Sequence, residues 1–338
     1  MATTTICVPA QAGEADRAAL LREPALTLRQ GGLVAFPTET VYGLGADALN
    51  DQAVARIYHA KMRPPDNPLI IHLPDPTWLD RVAADVTPAA RGLALAYWPG
   101  PLTIVLSAAA SVPSVTLGGL STVAVRIPAH PIARALISAA ATPVAGPSAN
   151  LSGRPSPTTA GHVLADLDGR IDWIIDGGPC ALGIESTVVD ARGAEPRILR
   201  EGVITREMLG LDLDGTVAGP TTRSPGTGHP HYRPDARVVV APMGDGADVA
   251  RQLSDRQVVG FVGPDHDLGD TDVRVLAQPL GAEELGAVLY GALRRADSLG
   301  VEVVVIEAVP ADGVGRAVMD RLRRAAGMSG SQTVTNLT

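Results

Sequence analysis

A change of composition at residues 210–235 limits the architecture of this chain more than any other feature of the sequence. Glycine, proline, threonine and aspartate dominate the segment, and Ser224–Pro234 cannot form a regular helix or strand. We therefore predict a linker between two domains. Because the segment ends in histidine, tyrosine and arginine side chains, an alternative is a loop that folds back over a site as a lid.

The part after the linker is predicted to be a small parallel α/β domain, because strand patterns alternate with helical patterns there. The strand patterns lie at 237–241, 257–262 and 301–306, and the helical patterns lie at 246–254, 281–298 and 313–326. The predicted organisation is a first domain at 1–209, a linker at 210–236, this second domain at 237–327 and a tail at 328–338.

The part before the linker mixes strands and helices, which predicts an α/β domain with a mixed sheet. Pro24 suits the first turn of a short helix at 24–30, and Asn50 is predicted to cap a helix at 51–60. Two more helices are expected after Pro88 and Pro131. Buried strands are predicted at 33–36, 69–73, 102–106, 122–127, 171–175, 186–189 and 197–199.

Composition and charge narrow the classes of function. The 338 residues are 46% hydrophobic and 19% charged, as in folded globular proteins, and the net charge of −8 argues against a broad basic surface for nucleic acid. Two cysteines support no disulfide framework. The first residues lack a signal-peptide pattern, and no apolar run reaches the ~18 residues of a membrane span. We expect a soluble cytoplasmic protein that meets a polyanionic substrate with a local group of cations.

Two cations stand two residues apart where the helical pattern at 51–60 ends, and a short polar loop follows 85 residues later. The cations are Lys61 and Arg63, and the loop is Gly146–Asn150 with Ser148 and Asn150 as its polar side chains. Cations with hydroxyl and amide groups are suited to holding a triphosphate and to stabilising the charge that grows during attack on it. The alternative is that the cations are solvated charges at a helix end and the polar residues belong to a turn.

Polar side chains also stand at or near the ends of other predicted strands. Thr40 can donate to a substrate carboxylate or carbamate, and Glu39 can position an ammonium or a metal. His72 is either a ligand or a hydrogen-bonded core residue. Arg126 lies in a strand whose core face is predicted to be Val123, Val125 and Ile127, opposite a more polar face. An inward arginine needs an anionic partner, which is either a substrate carboxylate or an internal Asp or Glu.

With these segments taken together, the chain resembles the threonylcarbamoyl-adenylate synthases, the YrdC-domain family, in their longer two-domain form. The resemblance covers nearly the whole chain, and its specificity comes from the combination of segments and not from any one of them. The segments are FPTETVYGLGADA (36–48), K-x-R-P-x-x-NPLIIH (61–72), YWPGPLTIVL (97–106), TVAVRIPAHPIA (122–133), GPSANLSGRPSPTTAGHV (146–163), IIDGG with G-ESTVVD (174–190), ILREGVIT (198–205), SPG with HYRP (224–234) and RLRRAAG (321–327).

The resemblance implies that the protein is a nucleotidyltransferase that converts L-threonine, bicarbonate and ATP into threonylcarbamoyl-AMP and pyrophosphate. The product supplies the threonylcarbamoyl group of adenosine 37 in tRNAs that read ANN codons. It further implies Mg²⁺ on the leaving pyrophosphate, no tightly bound metal held by the protein, and a transient hand-off to a threonylcarbamoyl transferase. Contact with tRNA is expected to be weak or indirect, and no membrane is expected to take part.

The family also implies a fold and a set of site residues. The fold is α/β, with an N-terminal YrdC-like twisted open mixed sheet with helices and a smaller C-terminal Rossmann-like parallel domain. Lys61 and Arg63 would carry the catalytic charge. The threonine pocket would be lined by Thr40, His72, Arg126 and Ser186. ATP would be held by Lys61, Arg63, Asn67, Thr122, Ser148, Asn150, Ser156 and Arg200, with Tyr232 closing over the nucleotide from the linker.

The sequence departs from the family pattern at three places. Met62 stands where the family commonly has glycine, which keeps both cations but bears on the flexibility of the loop. Gly228, His229 and Pro230 stand where the family usually has one or two basic residues before its His-Tyr pair. Asp320 stands where asparagine is usual.

Three other interpretations stay open on the sequence. The first is an RNA-binding module, which the net charge and the 3% aromatic content disfavour. The second is a different carbamoyl transferase, but the zinc-finger portion of such proteins needs more cysteines than the two present. The third is that the second domain is purely structural and anchors the linker, which is compatible with the enzyme.

Overall fold

The computed structural model describes residues 2–9, 11–211 and 231–328. The chain divides into two compact units. The first comprises Met1–Ser152, Ser156–Ala181 and Glu185–Gly228, and the second comprises Gly153–Pro155, Leu182–Ile184 and His229–Thr338. Most of the predicted linker and nearly all of the predicted tail lie outside the described residues. No helix in the described part is long and apolar enough to cross a membrane.

The first unit contains a ten-stranded sheet, five α-helices and one short 3-10 helix (Pro76–Arg81) among its described residues. The strands are β1 (Thr4–Cys7), β2 (Val34–Phe36), β3 (Gly43–Asp47), β4 (Ile70–His72), β5 (Leu102–Ser107), β6 (Thr122–Arg126), β7 (Val144–Ala145), β8 (Trp173–Asp176), β9 (Thr187–Asp190) and β10 (Arg197–Arg200). The helices are α1 (Glu14–Arg29), α2 (Asp51–Lys61), α3 (Pro88–Tyr97), α4 (Pro131–Ala140) and α5 (Ala160–Leu167).

The strand order of this sheet is β1-β8-β2-β3-β7-β4-β6-β5-β9-β10. The sheet contains parallel pairs such as β4 with β6 and antiparallel pairs such as β5 with β6, so the predicted mixed sheet is confirmed. The register of the parallel pair places His72 of β4 opposite Arg126 of β6. Two side chains from distant sequence segments therefore lie on neighbouring strands.

The core of the first unit consists mainly of aliphatic side chains. Val123, Val125 and Ile127 are buried, as predicted. The other side of β6 differs from the prediction, because Ala124 and Arg126 are buried as well. Alternation along a strand separates two faces but does not tell which of them meets solvent, since both faces of a sheet can be covered.

The first helix is the clearest error of the sequence prediction. Helix α1 begins at Glu14, ten residues before the predicted start, and contains Pro24 in its interior. Leu21, Pro24, Ala25 and Leu28 form its buried face at helical spacing. Packing of this face and the helix-favouring residues before Pro24 outweigh the cost of an interior proline, which is about 3 kcal/mol. Strand β3 was also missed, because its glycines resemble a turn.

The second unit is the predicted Rossmann-like domain. Its strands are β11 (Arg237–Ala241), β12 (Val259–Val262), β13 (Arg274–Ala277) and β14 (Val303–Glu307), and its helices are α6 (Gly246–Ser254), α7 (Ala282–Ser298) and α8 (Gly315–Ala325). All three strand pairs are parallel in the order β11-β14-β12-β13. The fold class is therefore confirmed for both parts of the chain.

A buried carboxylate occupies the carboxyl end of the central strands in this second unit. Glu307 at the end of β14 accepts hydrogen bonds from the main-chain N–H groups of Gly244 (2.9 Å) and Gly246 (3.2 Å) at the start of α6. Nε2 of His266 lies 3.1 Å from the same carboxylate. A helix start at this edge of a parallel sheet is where anions usually bind, and here the protein's own carboxylate fills the position.

Candidate active site

Lys61 and the loop at 146–150 are brought together by the fold. Asn50 caps α2 by accepting from the N–H groups of Gln52 and Ala53 at 3.1 Å, and Lys61 is the last residue of the same helix. The Lys61 side chain is only 1% exposed. Its Nζ donates to the main-chain carbonyl oxygens of Ser148 and Asn150. The first cation is thus a buried charge fixed against the polar loop.

The amino-acid composition also distinguishes Lys61, independently of any motif. It is the only lysine in a chain that has 28 lysine and arginine residues together. Arginine presents a wide planar fork, whereas lysine presents a compact charge. A single lysine among so many arginines indicates that this position needs the smaller head group.

The two residues after Lys61 shape the loop that follows α2. Met62, at the family's glycine position, adopts a left-handed conformation with φ of 53° and ends the helix. Arg63 turns its guanidinium onto the same loop, where it donates to the carbonyl oxygens of Asn67 (3.3 Å) and Pro68 (3.1 Å). The Asn67 side chain is buried. The main-chain carbonyl oxygen of Asn67 also accepts from the hydroxyl of Tyr58 at 3.2 Å.

The polar loop is ordered by its own side chains. The Ser148 hydroxyl donates to Oδ1 of Asn150 at 2.6 Å, and Nδ2 of Asn150 donates to the carbonyl oxygen of Leu151 at 2.8 Å. The loop is also tied to the segment after β2, because the N–H of Ala149 donates to the carbonyl oxygen of Tyr42 at 2.8 Å. Segments that are distant in sequence therefore form one polar surface.

Thr40 lies in a chain of hydroxyl groups whose direction can be assigned. The hydroxyl of Thr38 donates to the carbonyl oxygen of Val41 at 2.6 Å, which uses its only proton. Thr40 lies 2.9 Å from Thr38, so Thr40 donates there and its own oxygen accepts from Nη1 of Arg126 at 2.9 Å. In this arrangement Thr40 presents an acceptor to a ligand, in contrast to the donor predicted from the sequence.

Arg126 is buried and has an internal anion beside it. Its Nη2 lies 2.6 Å from Oε1 of Glu39, and its Nε donates to the carbonyl oxygen of Gly100 at 3.1 Å. The sequence left open whether the anionic partner of Arg126 is a substrate carboxylate or an internal Asp or Glu. In the structure the internal carboxylate of Glu39 is present. Burial raises the pKa of Glu39, but the Arg126 charge and nearby N–H groups lower it further, so the pKa lies below its ordinary value. Glu39 is ionised at neutral pH.

His72 is buried next to Arg126 and is uncharged at neutral pH. Burial lowers the pKa of its imidazole to about 3, and the positive charge of Arg126 acts in the same direction. The ring packs edge-on against Phe36 with centroids 5.9 Å apart. A Cβ on Gly146 would lie 3.2 Å from Nδ1, so glycine at that position lets the loop approach the ring closely.

Ser186 connects the two groups of residues that the family assigns to threonine and to ATP. Its hydroxyl lies 2.7 Å from the hydroxyl of Thr103 on β5. Arg200 on β10 donates to the Ser186 carbonyl oxygen from Nε (3.1 Å) and Nη2 (2.8 Å), and Nη2 also contacts the hydroxyl at 3.2 Å. All three side chains are buried.

The remaining predicted site residues lie in different surroundings. The buried hydroxyl of Ser156 donates to Oε1 of Glu185 at 2.6 Å. Thr122 is half-buried at the start of β6. Tyr232 belongs to the second unit, where it is 5% exposed and stacks on Tyr290 of α7 with centroids 5.2 Å apart.

Some contacts at the site were not predicted from the sequence. Glu39 was expected to position an ammonium or a metal, and it pairs with Arg126. Glu185 stands inside a quoted motif, but its partner Ser156 comes from another segment. Thr103 gives no signal, because a threonine within an apolar strand is common. Glu39 also borders an open cleft of about 840 Å³ with His130 and Asp176. Among the described residues, no group of three or more His, Cys, Asp or Glu side chains is arranged to hold a metal ion.

The first unit defines a class of protein in which buried cations and hydroxyl groups lie together on a mixed sheet. Two family models match the chain and identify the family within this class. The Sua5_yciO_yrdC model, described as "Telomere recombination", matches residues 26–202. The model described as "Threonylcarbamoyl-AMP synthase, C-terminal domain" matches residues 201–327. The chain therefore belongs to the two-domain Sua5/YrdC family of threonylcarbamoyl-AMP synthases, as the motifs predicted.

Individual relatives support this assignment over most of the chain. A threonylcarbamoyl-AMP synthase of Pyrococcus abyssi is 45% identical over 89% of this chain and 92% of its own length. A protein of the same name from Bacillus subtilis is 42% identical over 91% and 93%. The crystal structure of P. abyssi Sua5 complexed with L-threonine has a TM-score of 0.86 and 42% identity, and the match covers 96% of this chain and 98% of that one.

Proposed function

We propose that this protein catalyses formation of threonylcarbamoyl-AMP and pyrophosphate from L-threonine, bicarbonate and ATP, and is thus a nucleotidyltransferase. The observation that carries the proposal is the 45% identity, over 89% of the chain, to a relative named threonylcarbamoyl-AMP synthase. The product would supply the threonylcarbamoyl group of adenosine 37 in tRNAs that read ANN codons.

The threonine pocket is assigned to Thr40, His72, Arg126 and Ser186. Arg126 supplies positive charge for the carboxylate, and the Thr40 oxygen and the neutral His72 ring supply polar contacts without net charge. A buried arginine attracts a carboxylate more strongly than an exposed one, because water screens the interaction less. This favours a small substrate with one carboxylate.

ATP is assigned to the cations and to the polar loop. The residues are Lys61, Arg63, Asn67, Thr122, Ser148, Asn150, Ser156 and Arg200, with Tyr232 from the linker. Lys61 is the best supported of these, because its buried charge is fixed at the loop that carries Ser148 and Asn150. A fixed charge in a site of low polarity stabilises negative charge that grows on a phosphate without having to reorganise.

The chemistry is an in-line attack on the α-phosphate. Bicarbonate takes up a proton and loses water to give carbon dioxide, the neutral amine of threonine adds to it and gives up a proton to form a carbamate, and the carbamate oxygen then displaces pyrophosphate from the α-phosphate. Catalysis then consists mainly of positioning and charge neutralisation, for which Lys61 and Arg63 are the assigned groups. ATP would be taken as its Mg²⁺ complex, and the metal would neutralise part of the charge of the leaving pyrophosphate.

We further propose that the product passes to a threonylcarbamoyl transferase in a transient contact, with weak or indirect contact to tRNA. The net charge of −8 supports the second point, since non-specific binding to tRNA needs a cationic surface. A cytoplasmic location stays a prediction.

The direct test is pyrophosphate release from ATP with and without L-threonine and bicarbonate. We expect release only when both are present, and loss of release in Lys61→Ala/Arg63→Ala. The matched control is Arg56→Ala, which removes an exposed cation from the same helix. Release without threonine would indicate another acceptor or a plain ATPase, and no release in any mixture would contradict the proposal.

A further inference from the structure

The guanidinium of Arg126 meets a different oxygen at each of its three nitrogens. Nε donates to the carbonyl oxygen of Gly100 at 3.1 Å, Nη1 donates to the hydroxyl oxygen of Thr40 at 2.9 Å, and Nη2 lies 2.6 Å from Oε1 of Glu39. These partners come from two separate segments, because Glu39 and Thr40 are neighbours in the sequence. They fix both the position and the rotation of a side chain that is only 3% exposed.

The contact with Glu39 differs in kind from the other two. Nη2 and Oε1 are 2.6 Å apart, so the contact joins two opposite charges that are shielded from water. Nη2 carries two N–H groups, and its pair with one carboxylate oxygen leaves the second N–H group for an incoming acceptor.

Glu39 is itself held in place. The N–H groups of Glu39 and Ala129 face its carboxylate in addition to Arg126, and its side chain is 13% exposed. The carboxylate also borders the cleft of about 840 Å³. A neutral side chain of the same size, such as glutamine, therefore has space and contact with solvent at this position. Glu39 thus provides a fixed negative charge on one side of the guanidinium.

We propose that Glu39 is a positioning residue for recognition of the amino-acid substrate. Its charge holds Arg126 beside Thr40, so that the second N–H group of Nη2 stays directed at the substrate carboxylate. Glu39 does not touch the substrate itself and acts through Arg126. This inference rests on the proposed function, since it assigns a further residue to the same threonine pocket.

The test is binding of L-threonine to the full-length protein by calorimetry, together with the KM for L-threonine and for ATP. Glu39→Gln keeps the size of the side chain and removes its charge, and Glu39→Asp keeps the charge. Glu23→Gln on the exposed side of α1 is the matched control. We expect Glu39→Gln to weaken threonine binding at least tenfold and to change the KM for ATP less than twofold. Glu39→Asp should weaken threonine binding by a smaller factor. The control should bind threonine as wild type does.

A double variant separates positioning from a structural role. If Glu39 acts through Arg126, Glu39→Gln in an Arg126→Lys background has little further effect on threonine binding, whereas independent roles give multiplied losses. A thermal melt of each variant shows whether it is folded. If Glu39→Gln is unfolded, the effect of Glu39→Asp on threonine binding is compared instead, alone and in the Arg126→Lys background.

The outcomes distinguish this inference from the proposed function. Equal threonine binding in wild type and Glu39→Gln overturns the inference while pyrophosphate release still supports the function. A rise of both KM values by the same factor also overturns it, since general damage to the site does that. Threonine binding that depends on Glu39, without pyrophosphate release in wild type, leaves the positioning role standing and contradicts the function. Wild-type protein that binds no threonine overturns both.

Discussion

Arg200 holds Ser186 by its main-chain carbonyl oxygen, with Nε and Nη2 at 3.1 and 2.8 Å, and Nη2 also reaches the Ser186 hydroxyl at 3.2 Å. The proposed function places the arginine among the ATP residues and the serine among the threonine residues. A residue of the nucleotide group is therefore bonded directly to a residue of the amino-acid group. The two substrates are expected to share a dependence on this contact.

Replacing Arg200 by lysine removes the planar fork and keeps the charge. Loss of hydrogen bonds to a charged group is worth about 1.5–3 kcal/mol, so we expect kcat/KM to fall about 10–100-fold for both L-threonine and ATP. The measurement is steady-state pyrophosphate release with each substrate varied in turn. Arg197→Lys is the control, because Arg197 is exposed on the same strand. A loss for ATP alone would show that the contact does not couple the two groups.

Lys61 is expected to be irreplaceable even by arginine. Its Nζ fits between the carbonyl oxygens of Ser148 and Asn150 in a fully buried position, where the larger guanidinium has no space. We expect Lys61→Arg and Lys61→Met both to reduce pyrophosphate release at least 100-fold and to lower the free energy of unfolding by about 2–3 kcal/mol.

The sole lysine also gives a direct probe. Protein produced with isotope-labelled lysine should give one lysine side-chain signal in an NMR spectrum, because the chain has a single lysine. We expect this signal to shift on addition of ATP and to be missing in Lys61→Arg. An ATP-insensitive signal would place the nucleotide away from Lys61.

Met62 is strained by its backbone conformation. A side chain at φ of 53° costs about 1–2 kcal/mol, whereas glycine adopts this conformation freely at an entropic cost of about 0.5–1 kcal/mol. We therefore expect Met62→Gly to raise the free energy of unfolding by up to about 1 kcal/mol in urea. Met62→Ala keeps the Cβ and should bring no gain. Equal effects of the two substitutions would show that the side chain, and not the backbone, is responsible.

His72 should make the stability of the protein depend on pH. The unfolded chain takes up a proton near pH 6.5, whereas the folded pKa of His72 is about 3. Between these values the unfolded state binds more protons, so the free energy of unfolding falls as pH falls, by up to about 1.4 kcal/mol per pH unit. Urea unfolding from pH 7 to pH 4 measures this slope, and His72→Asn should reduce it. His59→Asn, at an exposed position of α2, should leave the slope unchanged.

Glu307 should stabilise the second unit by completing the start of α6. Glu307→Ala leaves the N–H groups of Gly244, which is exposed, and of Gly246, which is buried, without their carboxylate acceptor, which costs about 1–2 kcal/mol. Hydrogen exchange should show faster exchange at these two amides. Glu283→Ala, in the exposed first turn of α7, is the control. Unchanged exchange at Gly244 and Gly246 would show that the carboxylate does not hold the helix start.

Local patterns determined much of the fold. Asn50, Thr87 and His130 begin helices α2, α3 and α4, because their side chains accept from the first free N–H groups of each helix. Alternating strands and helices after the linker predicted the class of the second unit, although strand β13 was not predicted. Helix α1 was misjudged because its interior proline is compensated by packing, which a local pattern does not contain.

The sequence by itself determined the family, the fold class and the chemical nature of the site, because motifs such as Lys61–Arg63 and Ser148–Asn150 state which groups are present. Only the tertiary structure decided the partners of those groups. It paired Arg126 with Glu39, turned the Thr40 proton toward Thr38 and made His72 neutral by burial. Each of these depends on distance and direction between segments far apart in the chain, and on the exclusion of water, which exist only once the sheet has assembled.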